Sequence, residues 1–498
     1  MNQRAPLVPA DVAQSADVAQ SADVASTPTM TEPLPVAKLS LRVLALAWPV
    51  LIQQFLHLAV GLSDQFLAGQ FQPPDSSQQA AYLAALTTAN YAAWFLSSFI
   101  VLVSVGSTAL VARCVGAQDR RLADRATNQS IVLALGLGAT ITVVGLLALP
   151  TLVDWLQLRG DAGRFAADFL RPMLALVVFQ VVESAGIACL TGAGDTRSGL
   201  WVMGSVAVLN VPLAWGLCFG VGPVPALGFE GIALGTAISH VLGGTAVLVL
   251  LARGRAGLHL RATLLWPDPA LMHRILRVSV PAAVDSMSVI AGQFWFLSIV
   301  NSLGATAAGA HGIALRWEAL GFLSGHAFGI AAMALVGQYL GAGQPREAAR
   351  SGWLAFAMGA GVMSLMGAIF FTFAPQMFAV FCPRPDQQEV VAVGVPVLRL
   401  IAFAMPALAG TIIFTAALRG AGDTRVPVLF TWIGFLLVRI PLAYLLTRET
   451  LSLGTLGTIP GYDLGLLGAW VAMLADLLVR GLFFVARFAS GRWQYARV

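Results

Sequence analysis

The sequence predicts an all-α polytopic membrane protein in which twelve transmembrane helices form two parallel six-helix repeats, each making one lobe. Three observations carry that prediction. Hydrophobic residues are 58% of the chain and charged residues 11%, against about 45–50% and about 25% in an average soluble domain. Apolar runs of about 20 residues or more, the length that crosses a bilayer as a helix, recur through all 498 residues. The hexapeptide Gly-Ala-Gly-Asp-Thr-Arg occurs at 192–197 and again at 420–425, each time between two long apolar stretches.

Taken in order, residues 1–38 differ in kind from the rest. They repeat Asp-Val-Ala-Gln-Ser-Ala from residue 11 and lack the charged start and continuous apolar stretch of a secretory signal, so a disordered cytoplasmic tail is expected. Breaks at Gly, Pro and charged clusters then place spans near 42–69, 80–112, 126–152, 166–190, 198–220 and 229–252. A second set follows near 272–303, 306–340, 351–374, 389–418, 426–447 and 464–488. The expected domains are an N-terminal lobe over 39–255, a cytoplasmic linker over 256–271, a C-terminal lobe over 272–490 and a cytoplasmic tail over 491–498.

Arginine placement sets the topology, because short cytoplasmic loops collect Lys and Arg. Arg113, Arg120, Arg121 and Arg125 follow the second span; Arg253, Arg255, Arg261, Arg274 and Arg277 cluster between the sixth and seventh; Arg346 and Arg350 follow the eighth; Arg492 and Arg497 close the chain. The other side holds Arg159, Arg164, Arg171, Arg384 and Arg448, several beside acids. Both termini are therefore expected in the cytoplasm, with the protein in the plasma (inner) membrane. The net charge of +5 belongs to these loops and not to one basic face or tail, which argues against a nucleic-acid partner.

Six spans per half put the start of both halves on the same side, so the repeats are parallel. Further pairs keep the register. Pro49 matches Pro281, Gly116 with Arg125 matches Gly341 with Arg350, Pro212 matches Pro441, and Gly228 with Gly231 matches Gly465 with Gly468, all at separations of 225–237 residues. Chance does not readily give several collinear matches at nearly constant spacing.

The hexapeptide reads as a turn between the fourth and fifth helices of each half. Its glycines allow positive φ, Asp195 or Asp423 can cap the next helix, and Arg197 or Arg425 can reach the headgroups. It lacks the Gly-Lys-Ser/Thr ending of a phosphate loop, so ATP-driven transport is not expected. Cys114, Cys189, Cys218 and Cys382 are scattered without metal or redox spacing. No nucleophile with its base, no spaced His cluster and no paired carboxylates at one site are evident, so an enzyme is not expected.

Ionisable groups inside spans cost about 2.5–3.5 kcal/mol on insertion scales and mark functional paths. The candidates are Asp64, Glu183, Asp285, Glu318, Arg439 and Asp476. Asp64 has no basic residue within a turn of its own helix; it can carry a proton between two sides or coordinate Na⁺, the alternative being satisfaction by a neighbouring helix. His311 and Glu318, seven apart, share one face of the eighth span, with His326 further along on that side. They form a candidate stripe for proton relay or substrate binding, against the plainer reading of a polar helix interface. Asp476 and Arg480 are an i, i+4 pair; Arg439 reads as a counter-charge to an acid, and Glu183 has no evident partner. Trp94, Trp295 and Trp317 can stack on flat cations or pack at the membrane interface.

From roughly residue 40 to 490 the chain resembles the multidrug and toxic compound extrusion (MATE) transporters. The resemblance rests on Ser63-Asp64-Gln65-Phe66-Leu67-Ala68-Gly69, on both hexapeptides, and on Ala310 to Leu315 followed by Val336 to Gly343. It implies a V-shaped cavity between the lobes and export of cationic or amphiphilic organic compounds in exchange for H⁺ or Na⁺, with no other cofactor. It places Asp64 on the acidic position that binds the coupling cation, and Asn210 and Thr236 on further ligands, with Na⁺ at Asp64 the one metal it allows. Where the family often has a second Asp or Asn, this chain has Ala214, which shifts the balance toward H⁺. Asp285, four residues after Pro281, resembles an acid of one branch of the family, while the acids of a second branch are replaced by Val289 and Leu408. The expected protein is thus a secondary active multidrug efflux antiporter, a monomer in the bilayer acting on small organic substrates. A lipid-linked oligosaccharide flippase of the wider superfamily, or a non-transporting membrane receptor, are the alternatives.

Overall fold

The structure is a computed structural model and describes residues 35–71, 79–155, 160–223, 225–452 and 458–496, with side chains described for all of these except 79–84, 86–97, 155 and 451–452. The repeats of the first 34 residues, the Trp94 side chain, Arg159 and Arg497 lie outside the described residues. Among the described residues, twelve helices are long and apolar enough to cross a membrane. They are α1 Val36–Gln70, α2 Gln79–Gly116, α3 Arg120–Trp155, α4 Asp161–Gly192, α5 Thr196–Phe219 and α6 Phe229–Ala252. The second half has α7 Pro269–Asn301, α8 Ala305–Gly341, α9 Pro345–Ala379, α10 Gln388–Ala421, α11 Arg425–Thr447 and α12 Gly465–Ala489. A short antiparallel hairpin, Thr450–Ser452 with Thr458–Pro460, sits between α11 and α12. Apart from this hairpin, which the sequence reading did not anticipate, the fold is the expected helical one.

The two halves pack by the same plan. In the first, α4 is central and touches α2, α3 and α6; in the second, α10 is central and touches α8, α9 and α12. Likewise α1 with α5 and α5 with α6 are answered by α7 with α11 and α11 with α12. Glycines fix corresponding close approaches: a Cβ on Gly231 would meet the carbonyl of Leu217, and one on Gly468 that of Leu446. The lobes meet through α1 and α2 against α7 and α8, with Val105 and Ala109 of α2 packed on Val278 and Ala282 of α7.

Both hexapeptides are helix C-caps. Gly194 and Gly422 have φ of +90° and +87°, and the next N–H, of Asp195 or Asp423, donates back to the carbonyl of Leu190 (2.8 Å) or Leu418 (2.9 Å), the pattern in which a left-handed glycine closes the last turn. Asp195 then caps α5 through the Ser198 N–H (3.0 Å) and accepts from Arg255 beyond α6 (2.7 Å). Asp423 does not cap α11: it is held by Arg487 of α12 (2.7 Å), so only one of the two expected caps forms. Arg255 and Arg487 occupy corresponding places, each reaching from the end of its lobe's sixth helix.

Three details differ from the sequence expectation. Helix α1 already begins at Val36, after Pro35. Helix α7 begins within the expected linker, because Asp268 caps it through the N–H groups of Ala270 and Leu271 and Pro269 supplies a first-turn φ. The segment after residue 490 is not loose over its described part: Arg492–Tyr495 form a 3₁₀ turn, Trp493 is fully buried and stacks on Phe488 at 4.6 Å.

Candidate functional site

Three helices of the first lobe converge on Asp64. The Thr236 hydroxyl of α6 donates to Asp64 Oδ2 (2.7 Å) and accepts from Asn210 Nδ2 of α5 (2.8 Å), so the three residues named on resemblance form one chain. Asn210 and Thr236 are buried. The contact exists because α5 and α6 approach closely: a Cβ on Gly235 would lie 2.6 Å from the Ala214 Cα. The close approach accounts for glycine at 235, since any side chain there would meet the α5 backbone at residues 213 and 214. Asp64 Oδ1 and Asn210 Oδ1 are buried with no hydrogen-bond partner among the described residues. Both are acceptors, which by their chemistry can receive a donor hydrogen or coordinate an oxygen-seeking cation.

Glu183 does have a partner. Its Oε2 lies 2.8 Å from His240 Nδ1, joining α4 to α6, and both residues are buried. His240 stands one turn from Thr236 on the same helix face. Neither His240 nor His57 of α1, within electrostatic reach of Glu183 and His240, was singled out from the sequence. Their signal was present: each is an ionisable residue inside an apolar run.

In the second lobe the sequence-derived stripe divides. His311 is buried against aromatic rings: Trp470 Nε1 donates to its Nδ1 (3.1 Å), and Phe296 and Trp470 lie edge-on at 5.9 and 5.5 Å. The Trp470 donor requires a lone pair on Nδ1, which assigns the proton to Nε2 of a neutral imidazole. Glu318 is within electrostatic reach of Arg439, and its Oε2 is buried without a hydrogen-bond partner among the described residues. His326 belongs elsewhere: its Nδ1 meets Gln54 Nε2 of α1 at 2.6 Å, across the lobe boundary, and its ring stacks on Phe322.

Arg439 sits 2% exposed between Phe296 and Phe435. It shares the Asp476 carboxylate with Arg480, at 2.7 and 2.6 Å. Two guanidiniums thus face one aspartate. Asp285 is paired with Arg419 of α10 (2.7 Å), a partner the sequence reading did not name; Asp285 Oδ1 stays without one among the described residues. Trp295 donates to the Tyr444 hydroxyl (3.2 Å) and Trp317 to the Met377 carbonyl (3.3 Å).

Twelve apolar helices in two like lobes, each holding buried ionisable residues at its centre, define the class of two-lobed membrane transporters. The family model MatE matches residues 49–215 and again 281–445, one match per repeat, and the chain belongs to this family. A probable multidrug resistance protein NorM of Thermotoga maritima is 27% identical over 462 residues, covering 92% of this chain and 94% of that protein. The multidrug resistance protein PmpM of Pseudomonas aeruginosa is 26% identical over 457 residues, covering 87% and 90%. Among solved structures, an outward-facing multidrug resistance MATE family transporter of the MOP superfamily superposes with a TM-score of 0.81 at 21% identity, covering 93% of this chain and 100% of that one.

Proposed function

We propose that the protein is a secondary active antiporter that exports cationic or amphiphilic organic compounds in exchange for protons, with Asp64 as principal coupling site. The observation that carries this reading is the chain Asn210, Thr236, Asp64, which ends on two buried oxygens without donors. A proton on Asp64 supplies the donor that the carboxylate lacks, and its departure restores a charge in a low-dielectric lobe, so the two states differ in free energy and can bias the helices around them. The names of the relatives support multidrug export. Na⁺ is the competing coupling ion, supported by the side-chain oxygens of Thr236 and Asn210 in the chain that ends on Asp64; the lack of a second carboxylate where the chain has Ala214 favours H⁺.

The energy is sufficient. A charge crossing about 100 mV contributes about 2.3 kcal/mol and each pH unit about 1.4 kcal/mol, so modest gradients sustain more than about tenfold export. Three arginines of the second lobe weigh against the flippase alternative, since Arg439 and Arg480 are committed to Asp476 and Arg419 to Asp285. The test is transport of ethidium in proteoliposomes under a pH gradient or, separately, a sodium gradient. Wild type is expected to respond to the pH gradient and Asp64→Asn to neither. Equal rates for both proteins would overturn the assignment.

A further inference from the structure

The Glu183–His240 pair lies close to Asp64 yet has no part in the chain of three. Its placement is specific. Helices α1 and α6 run in opposite directions, so His57, seven residues before Asp64, and His240, four after Thr236, are displaced to the same side: the side of the 192–197 turn. About 1.5 Å of rise per residue puts them roughly 6–10 Å further along. The polar file continues, because Gln53, one turn beyond His57, donates to the Thr196 carbonyl in that turn (3.0 Å).

The pair also has a built seat. A Cβ on Gly243 would stand 2.8 Å from the Glu183 carboxyl carbon and 2.6 Å from Val206, so glycine at 243 makes room for the carboxylate between α4, α5 and α6. Gly244 brings the α6 backbone to the Phe179 carbonyl of α4 (2.7 Å to its would-be Cβ), holding the imidazole and carboxylate together. The titratable groups facing the pair are His57 and Asp64 of α1, both in electrostatic reach of His240. Helix α5 contributes uncharged Val206 and Asn210. Helices α2 and α3, on other faces of α4, offer the hydroxyls of Thr108 and Thr142, which bond the Ala188 and Leu174 carbonyls (3.0 and 2.9 Å) instead.

We propose that Glu183 and His240 form a second proton-binding site of the first lobe, set between Asp64 and the side of the membrane that bears the 192–197 turn. It deepens the proton-antiport reading and rests on it for its role in transport. The chemistry is one proton gained or lost: an N–H forms on an imidazole when the site loads and breaks when it releases, with Glu183 as the fixed counter-charge. A proton on the His240 imidazole would give the buried Glu183 carboxylate a matching charge across the 2.8 Å contact.

Proton uptake tests this without knowledge of the substrate. Purified full-length protein in detergent is taken from about pH 8 to about pH 5, and protons bound per molecule are counted with a pH-sensitive dye for wild type, Asp64→Asn, Glu183→Gln, and Glu183→Gln with His240→Gln. The double variant is expected to take up one proton fewer than wild type and Asp64→Asn to lose a different one, so that the combination loses both. The exchanged pair, Glu183→His with His240→Glu, is expected to recover the uptake lost by the double variant. Uptake by a folded double variant equal to that of wild type overturns the proposal; should the double variant not fold, equal uptake by Glu183→Gln alone with ethidium transport unchanged does the same. If Asp64→Asn binds as many protons as wild type while the double variant binds fewer, the Asp64 reading fails and the second site stands.

Discussion

Arg439, Arg480 and Asp476 show how one residue can hold a lobe together. Both Asp476 oxygens are occupied by guanidinium donors at 2.6–2.8 Å, and all three residues are buried. Removing one partner of a buried pair costs about 3–5 kcal/mol, because the remaining charge is stranded, and here two charges would be stranded at once. Asp476→Asn is therefore expected to lower the thermal midpoint in detergent far more than Asp386→Asn on the exposed turn before α10; similar midpoints would show the pair is dispensable. The Asp476–Arg480 contact was legible in the sequence because i, i+4 neighbours must meet on a helix. The contact of Glu183 with His240 was not: its partners are 57 residues apart on different helices, and no periodicity within one helix ranks one distant partner above another. Asp64 could be read alone because its isolation on its own helix is itself a local property.

At the scale of elements, caps decide where helices start. Asp268 holds the first turn of α7 and pairs with Arg125 of α3 at 2.6 Å, outside the membrane-spanning segments. The α7 backbone N–H of Leu271, and after it Arg125, hold its carboxyl below the ordinary value of 3.8. A depressed folded value means that this stabilisation is fully present above the ordinary value and lost as pH falls through the lower, folded one. Asp268→Asn keeps a capping side chain but not the charge. Wild type is thus expected to melt above the variant at neutral pH, with the difference closing only below about pH 4; a difference that grew on acidification would contradict this. The Asp268-Pro269 pair is a helix-start signal that composition conceals, because the preceding arginines mark the stretch as loop. The π-helical segment Ile433–Arg439 inside α11 was not legible at all. It lies just before Pro441, which lacks the N–H of a regular ladder, and Gly434 within it leaves room for Asp476 and Arg480 of α12.

The whole molecule repeats one design at two places, and the closest test of that equivalence lies where the lobes meet. A Cβ on Gly116 would fall on the Gln338 carbonyl, and one on Gly341 on the Arg113 carbonyl, so each lobe presents a glycine to the other's backbone at corresponding ends of α2 and α8. Arg113 also donates to the Ala421 carbonyl (2.8 Å) and Gln338 to that of Gly192 (2.8 Å), which ties both hexapeptide turns to the opposite lobe. The turns that announced the repeat in the sequence are therefore parts of the lobe contact, a role that spacing alone could not reveal. Overpacking of a tight contact costs about 1–3 kcal/mol, and here the obstacle is backbone on both sides, so neither can yield by changing a rotamer. Gly116→Ala and Gly341→Ala are expected to lower the thermal midpoint by similar amounts. Gly136→Ala, where a Cβ meets nothing within 4 Å, is expected to leave it unchanged or raise it, since alanine favours a helix by about 1 kcal/mol over glycine. Unequal losses at 116 and 341 would show that the lobes do not meet about an axis of two-fold likeness. Equal losses, with ethidium transport falling in both, would place the moving contact of the transport cycle at this pair of helix ends.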